Sequence, residues 1–319
     1  MKTVKLSAVV KKLDLHVVRT SSDYETIEIT NSEINRPGLQ LSGFLEEFPY
    51  RRIQLFGKAE LAYYMAMDME LRKERVRAMM EYDIPCIVFS HYAQIPDEVR
   101  QLAEEYDKTL LISDRTTTRL ISALDEVLEY FLSEEDTIHA SLLDVFGMGV
   151  LLMGDSSVGK SETALDLVTR GHRLVADDVV EIRKIEKGLL AQAPLNIRHY
   201  LEVRGLGILD IQRLYGTGSV RLTTFIDLVI KLEKWQDDKE YDRIGLDDHT
   251  TEILGVELPY LEVPVKPGRN IAMIVEVAVR NQRQKLLGYN AAQELNNKLI
   301  ANMKKDTEEH RKQLKNNKK

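Results

Sequence analysis

Residues Gly154-Asp155-Ser156-Ser157-Val158-Gly159-Lys160-Ser161 constrain this chain more than any other segment. They follow the apolar run Gly149-Val150-Leu151-Leu152-Met153 and precede Glu162 to Val168, which reads as helix. A strand, a glycine-bearing loop and a helix start, in that order, make a phosphate-binding loop. Gly154 and Gly159 let the backbone curl with its N–H groups pointing inward. Those groups and the helix N-terminus hold phosphate oxygens. Lys160 places a point charge on the β- and γ-phosphates, and the Ser161 hydroxyl can ligate Mg²⁺. The competing reading, a glycine-containing surface turn, leaves the flanking strand and helix unexplained.

The chain has 319 residues, a length that predicts two domains. With 44% hydrophobic and 30% charged residues it has a globular composition. A net charge of −7 disfavours broad nucleic-acid binding, which needs a basic footprint. The single cysteine, Cys86, lies in the apolar run Ile84-Pro85-Cys86-Ile87-Val88-Phe89 and reads as a small buried hydrophobe. Neither a charged-then-apolar leader nor a bilayer-spanning apolar stretch is visible, so the expectation is a cytoplasmic protein without a membrane partner.

The first part alternates strands and helices. Strands are expected at 52–56, 84–90 and 109–113, and helices at 60–67, 96–105 and 117–132. Leu120, Ile121, Leu124, Val127, Leu128 and Phe131 keep one face of the last helix apolar. Such alternation predicts a parallel sheet. The polar run Ser133-Glu134-Glu135-Asp136 marks a boundary, giving an α/β domain over 1–133 and a second domain over 134–303. Beyond the phosphate loop the pattern turns to short strands. A hairpin is expected from Val179–Ile185 and Leu189–Ala193 across Glu186-Lys187-Gly188. Thr224–Leu232 and Ile271–Val279 read as buried strands. The charged tail over 304–319 is expected to fray.

Asp177 and Asp178 close the strand Arg173-Leu174-Val175-Ala176, the second of them only eighteen positions beyond Lys160. They read either as carboxylates facing a γ-phosphate in a compact kinase site or as a solvated strand end. His139, in Ile138-His139-Ala140, is a lone histidine, which is usually structural. Glu202-Val203-Arg204-Gly205-Leu206-Gly207 lacks the third glycine of a dinucleotide fingerprint. Tyr241-Asp242-Arg243-Ile244-Gly245 reads as a surface loop. Pro264-Val265-Lys266-Pro267-Gly268-Arg269 is a rigid segment with two cations, suited to phosphate or a protein partner, or else a turn between strands.

Taken together, these strings resemble the bacterial HPr kinase/phosphorylase family. The resemblance runs through Asn35-Arg36-Pro37-Gly38-Leu39-Gln40-Leu41-Ser42-Gly43, Ile138-His139, the loop and its helix start, and Arg170-Gly171-His172-Arg173-Leu174-Val175-Ala176-Asp177-Asp178. It continues through Leu201 to Asp210, Tyr241 to Gly245 and Val263 to Asn270, and so covers nearly the whole chain. Ala140 and Ser157 stand where the family pattern leads one to expect glycine.

The resemblance implies a bifunctional enzyme. It would phosphorylate a regulatory serine of the phosphocarrier protein HPr from ATP or pyrophosphate, and remove that phosphate with inorganic phosphate to give pyrophosphate. It further implies a C-terminal domain similar to the nucleotide site of phosphoenolpyruvate carboxykinase, a homohexamer, stimulation by fructose 1,6-bisphosphate, and a role in carbon catabolite repression. On this reading Ser161 and Glu202 hold Mg²⁺, and Lys160 and Arg243 offset charge on the transferred group. Asp178 exchanges the serine proton, and His139 orients it. Two other readings are a small-metabolite kinase and a nucleotide-switched binding protein. The latter calls for an Asn-Lys-x-Asp motif, and Asn297-Lys298-Leu299-Ile300 lacks the final Asp.

Overall fold

The computed structural model describes residues 2–186, 188–239, 241 and 248–316. The chain divides into two compact units, 1–134 and 135–319. In the first, a five-stranded sheet runs in the order His16–Arg19, Leu110–Ile112, Ile87–Phe89, Ile53–Phe56, Ile34–Asn35. The last four strands are parallel and the first is an antiparallel edge. Helices cover both faces, as a parallel sheet requires. Thr117–Leu132 buries Leu120, Leu124, Val127 and Leu128, and the Thr116 hydroxyl caps it by accepting from the Arg119 N–H. Met69–Met80 and Asp97–Glu105 pack on the other face through Val76, Met79, Val99 and Leu102. Cys86 is buried, and burial pushes its thiol well above the usual range.

The second unit stacks a four-stranded sheet on a six-stranded one. The larger runs Arg173–Ala176, Ser141–Val145, Met148–Met153, Leu228–Lys234, Val256–Val265, Thr250–Ile253. The smaller runs Thr223–Phe225, Gly188–Gln192, Val179–Ile185, Glu135–His139. Side chains alternate across the larger sheet with the strand period of two. Leu142, Leu151 and Val229 face the smaller sheet and meet Ala140, Val180, Ile182 and Ala191. Leu143, Val150, Leu152 and Ile230 face the other way, onto Ala164, Leu167 and Val168 of the helix Lys160–Thr169 and Ala272, Val275 and Val279 of the helix Ile271–Leu286. Both faces are buried, so the central strands read as continuous apolar runs.

Three expectations from sequence are corrected here. Ile271–Val279 belongs to a helix, capped by the Asn270 side chain accepting from the Met273 N–H at 2.8 Å. A short apolar run rich in Ile and Val carries no period that separates strand from buried helix. Thr224–Leu232 is two strands, because the chain changes sheets at Ile226–Asp227. The segment from Lys304, expected to fray, continues the helix Ala291–Asn316, whose sequence contains no Gly or Pro.

Candidate functional site

Two crossings between the stacked sheets build the site. The strand Glu135–His139 lies in the smaller sheet and Ser141–Val145 in the larger, with buried Ala140 as the joint. Arg173–Ala176 lies in the larger sheet and Val179–Ile185 in the smaller, with Asp177-Asp178 as the joint. His139 and Val179 are directly opposed in the pairing, so both crossings occur at one level. That geometry brings together His139, Ser141, Asp177 and Asp178, which two separate parts of the sequence supply.

The phosphate loop leaves the strand Met148–Met153 at its carboxyl end and enters the helix at Lys160. The neighbouring strand Leu228–Lys234 runs parallel to it. Gly154 has φ 142°, and a Cβ there would come within 2.3 Å of the Leu232 carbonyl oxygen, so only glycine fits. Ser157 also has a left-handed backbone, φ 69°. The Lys160 ammonium donates to the carbonyls of Gly154 at 2.7 Å and Asp155 at 3.1 Å.

Asp177 is the centre of the buried part. Its carboxylate accepts from the Ser141 hydroxyl at 2.5 Å, from the Ser161 hydroxyl at 3.0 and 3.2 Å, and from the Glu202 N–H at 3.3 Å. Burial nevertheless pushes its pKa up, the hydrogen bonds from Ser141 and Ser161 offsetting only part of that desolvation. Asp178 is exposed and left-handed, φ 67°. Its backbone carbonyl lies 3.1 Å from His139 Nδ1 and its carboxylate 3.4 Å from the same nitrogen. A carbonyl only accepts, so Nδ1 carries the proton that this contact shares. The two adjacent aspartates thus face different surroundings, one walled in and one open to solvent.

Ser156, Gly159, Glu162 and Arg204 complete the lining of a cavity of about 140 Å³ that also includes Lys160, Asp177, Asp178 and Glu202. Arg204 sits on the turn between the strands Tyr200–Val203 and Gly207–Asp210 and donates to the Ser156 hydroxyl at 3.1 Å, across the loop. Sequence reasoning passed over it. It stands two positions beyond Glu202, in the turn that follows that strand.

The segment Pro264–Arg269 leaves the strand Val256–Val265, which runs parallel to Leu228–Lys234. Its start therefore lies at the same edge of the sheet as the phosphate loop. Arg269 closes it, donating to the Pro264 carbonyl at 2.9 Å. Lys266 lies 5.1 Å from the centroid of the Trp235 ring, a cation–π contact. Arg243 lies outside the described residues.

Hard oxygen donors from Ser161 and Asp177, with Glu202 beside them, suit Mg²⁺, which takes one or two carboxylates and completes its shell with phosphates and water. The raised pKa of Asp177 marks a carboxylate whose charge the protein alone leaves undercompensated.

Strand, loop, helix and paired carboxylates together define a two-unit α/β protein whose second unit carries a cleft lined by a glycine-bearing loop, a lysine and two adjacent aspartates. Comparison with known proteins narrows this. Residues 4–128 match the model described as HPr Serine kinase N terminus, and residues 130–299 the model described as HPr Serine kinase C-terminal domain. The HPr kinase/phosphorylase of Caldanaerobacter subterraneus subsp. tengcongensis is 50% identical over 94% of this chain and 98% of its own length. That of Alkaliphilus metalliredigens is 45% identical over 97% of this chain and 100% of its own. A solved structure of the Hpr(Ser) kinase/phosphatase from Coxiella burnetii is 34% identical, covers 50% of this chain and 98% of that one, and superposes with a TM-score of 0.46. The chain belongs to the HPr kinase/phosphorylase family.

Proposed function

We propose that this chain transfers phosphate from ATP or pyrophosphate to a serine of HPr and returns it to inorganic phosphate, releasing pyrophosphate. The observation that carries the reading is the pairing of Asp177 under the loop serine with Asp178 open beside it. The loop N–H groups and Lys160 would bind the donor phosphates, with Lys160 leaving the Gly154 carbonyl to do so. Asp178 would take the proton of the serine hydroxyl as its oxygen bonds to phosphorus and the bridging phosphorus–oxygen bond of the donor breaks, releasing ADP from ATP or phosphate from pyrophosphate. In reverse it would give that proton to the departing serine oxygen while an oxygen of inorganic phosphate attacks. His139 would hold Asp178 through its carbonyl. Ser161 and Asp177, with Glu202, would hold Mg²⁺, which supplies charge neutralisation to the β- and γ-phosphates. Arg204 and Lys266 add cations at the same edge of the sheet.

A nucleotide site similar to that of phosphoenolpyruvate carboxykinase, a homohexamer, stimulation by fructose 1,6-bisphosphate and a cytoplasmic setting follow from the family reading. Among the described residues no helix is long and apolar enough to cross a membrane. Chemistry is assigned to residues 134–303, and assembly or regulation to residues 1–133. The test is incubation with HPr, ATP and Mg²⁺, then with phosphate. Reversible serine phosphorylation with pyrophosphate release supports the reading. Phosphorylation of a small metabolite only, or nucleotide binding without transfer, overturns it.

A further inference from the structure

Asp177 reaches its place through an irregularity in the strand that precedes it. Arg173 pairs with Asp144 and Leu174 with Leu143 across the antiparallel ladder, but the next pair is Ala176 with Leu142. Val175 is thus an extra residue on its strand, a bulge of the kind that re-aims a side chain beside a site. In the register of the first two pairs, Ala176 would stand level with Ser141. With the bulge, the residue that comes level with Ser141 is Asp177.

Ser141 opens the strand Ser141–Val145, is fully buried, and pairs with Leu152 on its other side. Its hydroxyl carries one hydrogen and an ionised carboxylate only accepts, so that hydrogen goes to Asp177 Oδ1, at 2.5 Å. This is the shortest contact Asp177 makes, with the length of a charge-assisted hydrogen bond. The Ser161 hydroxyl is spread over both carboxylate oxygens at 3.0 and 3.2 Å, and the Glu202 N–H meets Oδ2 at 3.3 Å. Oδ1 is therefore the anchored oxygen and Oδ2 the loosely held one. Asp177, Ser161 and Glu202 all line the cavity beside the loop, whereas Ser141 does not. It stands behind the carboxylate, where it touches no ligand.

We propose that Ser141 is the positioning residue of the cation seat, holding the Asp177 carboxylate by Oδ1 so that Oδ2 is the oxygen presented to Mg²⁺. The inference rests on the reading of Ser161 and Asp177 as the groups that hold Mg²⁺. That ion tolerates little departure from octahedral geometry, so a carboxylate free to swing binds it less well than one held from behind. An apolar side chain at position 141 keeps the strand and the bulge but removes the anchor. Oδ1 is then left to Ser161 alone, which draws the loop serine towards Asp177 and away from the cation. The bulge at Val175 and the hydroxyl of Ser141 thus act together: the first sets the aspartate level with the serine, and the second fixes which oxygen it offers.

The full-length protein is titrated calorimetrically with a non-hydrolysable ATP analogue, once in EDTA and once in saturating Mg²⁺. The ratio of the two affinities reads the cation seat, and the affinity in EDTA reads the loop by itself. Ser141→Ala should lower the ratio about fivefold or more while the affinity in EDTA stays within about twofold, a split that a merely structural role does not produce. Ser141→Cys, close in size but a weaker donor, should fall between Ser141→Ala and the wild type. If Ser141→Ala melts early in EDTA, Ser141→Cys carries the same comparison. Asp177→Asn should remove most of the ratio, and adding Ser141→Ala to it should change the ratio no further. A ratio unchanged by Ser141→Ala, or lowered as much in the Asp177→Asn background, overturns the proposal. A greater loss in Ser141→Cys than in Ser141→Ala assigns the effect to volume and overturns it too. An Asp177→Asn protein with the wild-type ratio overturns the Mg²⁺ assignment itself, and the proposal with it.

Discussion

Ser161 Oγ donates to both carboxylate oxygens of Asp177, at 3.0 and 3.2 Å, across the gap between the phosphate loop and the sheet crossing. The pair sets hard oxygen atoms from two separate segments side by side, and the buried acid within it is costly to keep charged.

Asp177→Asn tests that cost. Burial raises the Asp177 carboxyl above its ordinary value, so the folded protein binds this proton more tightly than the unfolded chain does. The contribution is fully present below the unfolded value and is lost as pH rises through the folded one. The Mg²⁺-free amide variant should therefore melt at or above the wild-type temperature at about pH 7.5, with the difference closing towards about pH 4. If Asp177 faces a bound Mg²⁺ as proposed, phosphoryl transfer should fall about 100-fold or more, because that charge is gone. A metal-free variant melting several degrees lower would show that Asp177 is chiefly a structural acceptor.

Ser157→Gly addresses the loop backbone. Ser157 holds φ 69°, a left-handed conformation that costs a side-chain-bearing residue about 1 kcal/mol and glycine almost nothing. The substitution should stabilise the nucleotide-free second unit by up to about that amount, less the entropy glycine brings to the unfolded chain. Denaturant midpoints of the two proteins measure it. A destabilised variant would mean that the serine side chain contributes more than its backbone strain removes.

The loop, its strand and its helix were legible because a continuous run of residues specifies them and each residue has one job. The two aspartates were legible as a pair, but the difference in their burial was not. It depends on where the chain crosses between sheets, and those crossings set Ser141 beneath Asp177 and His139 beside Asp178. Ser141 carries no sequence signal, being one small residue in an apolar strand. Arg204 escaped notice because its partner, Ser156, is 48 positions away. Ile271–Val279 was misread for a different reason. Burial on a helix packed against a sheet leaves an apolar run whose length, nine residues, suits either element.

Lys266→Ala should report through Trp235, the single tryptophan of the chain. The ammonium sits over the indole ring, so its loss alters the emission of Trp235 even without ligand. If the loop presents this cation to inorganic phosphate, phosphorolysis should need about tenfold more phosphate, equivalent to roughly 1.4 kcal/mol, while ATP-driven phosphorylation changes little. Altered fluorescence with an unchanged phosphate dependence would make Lys266 a packing residue or an HPr contact.

Asp178→Asn separates proton transfer from binding. Serine hydroxyl is a weak nucleophile near neutral pH, and a positioned base removes its proton as the bond to phosphorus forms. In the opposite direction the serine oxygen leaves and needs that proton back. On the proposed mechanism one exposed carboxylate serves both, because microscopic reversibility places the same group at the same atom. The amide keeps the shape of the side chain and the backbone carbonyl that meets His139, so the crossing should hold and nucleotide affinity should stay within about twofold. Both rates should fall about 100-fold or more. His139→Ala should cost less, since it removes an orienting contact and leaves the carboxylate in place. The decisive comparison is nucleotide titration beside forward and reverse rates for the two variants. A near-normal rate for Asp178→Asn in either direction would assign the proton to another group, and a collapse of nucleotide binding would place Asp178 in the phosphate cradle instead.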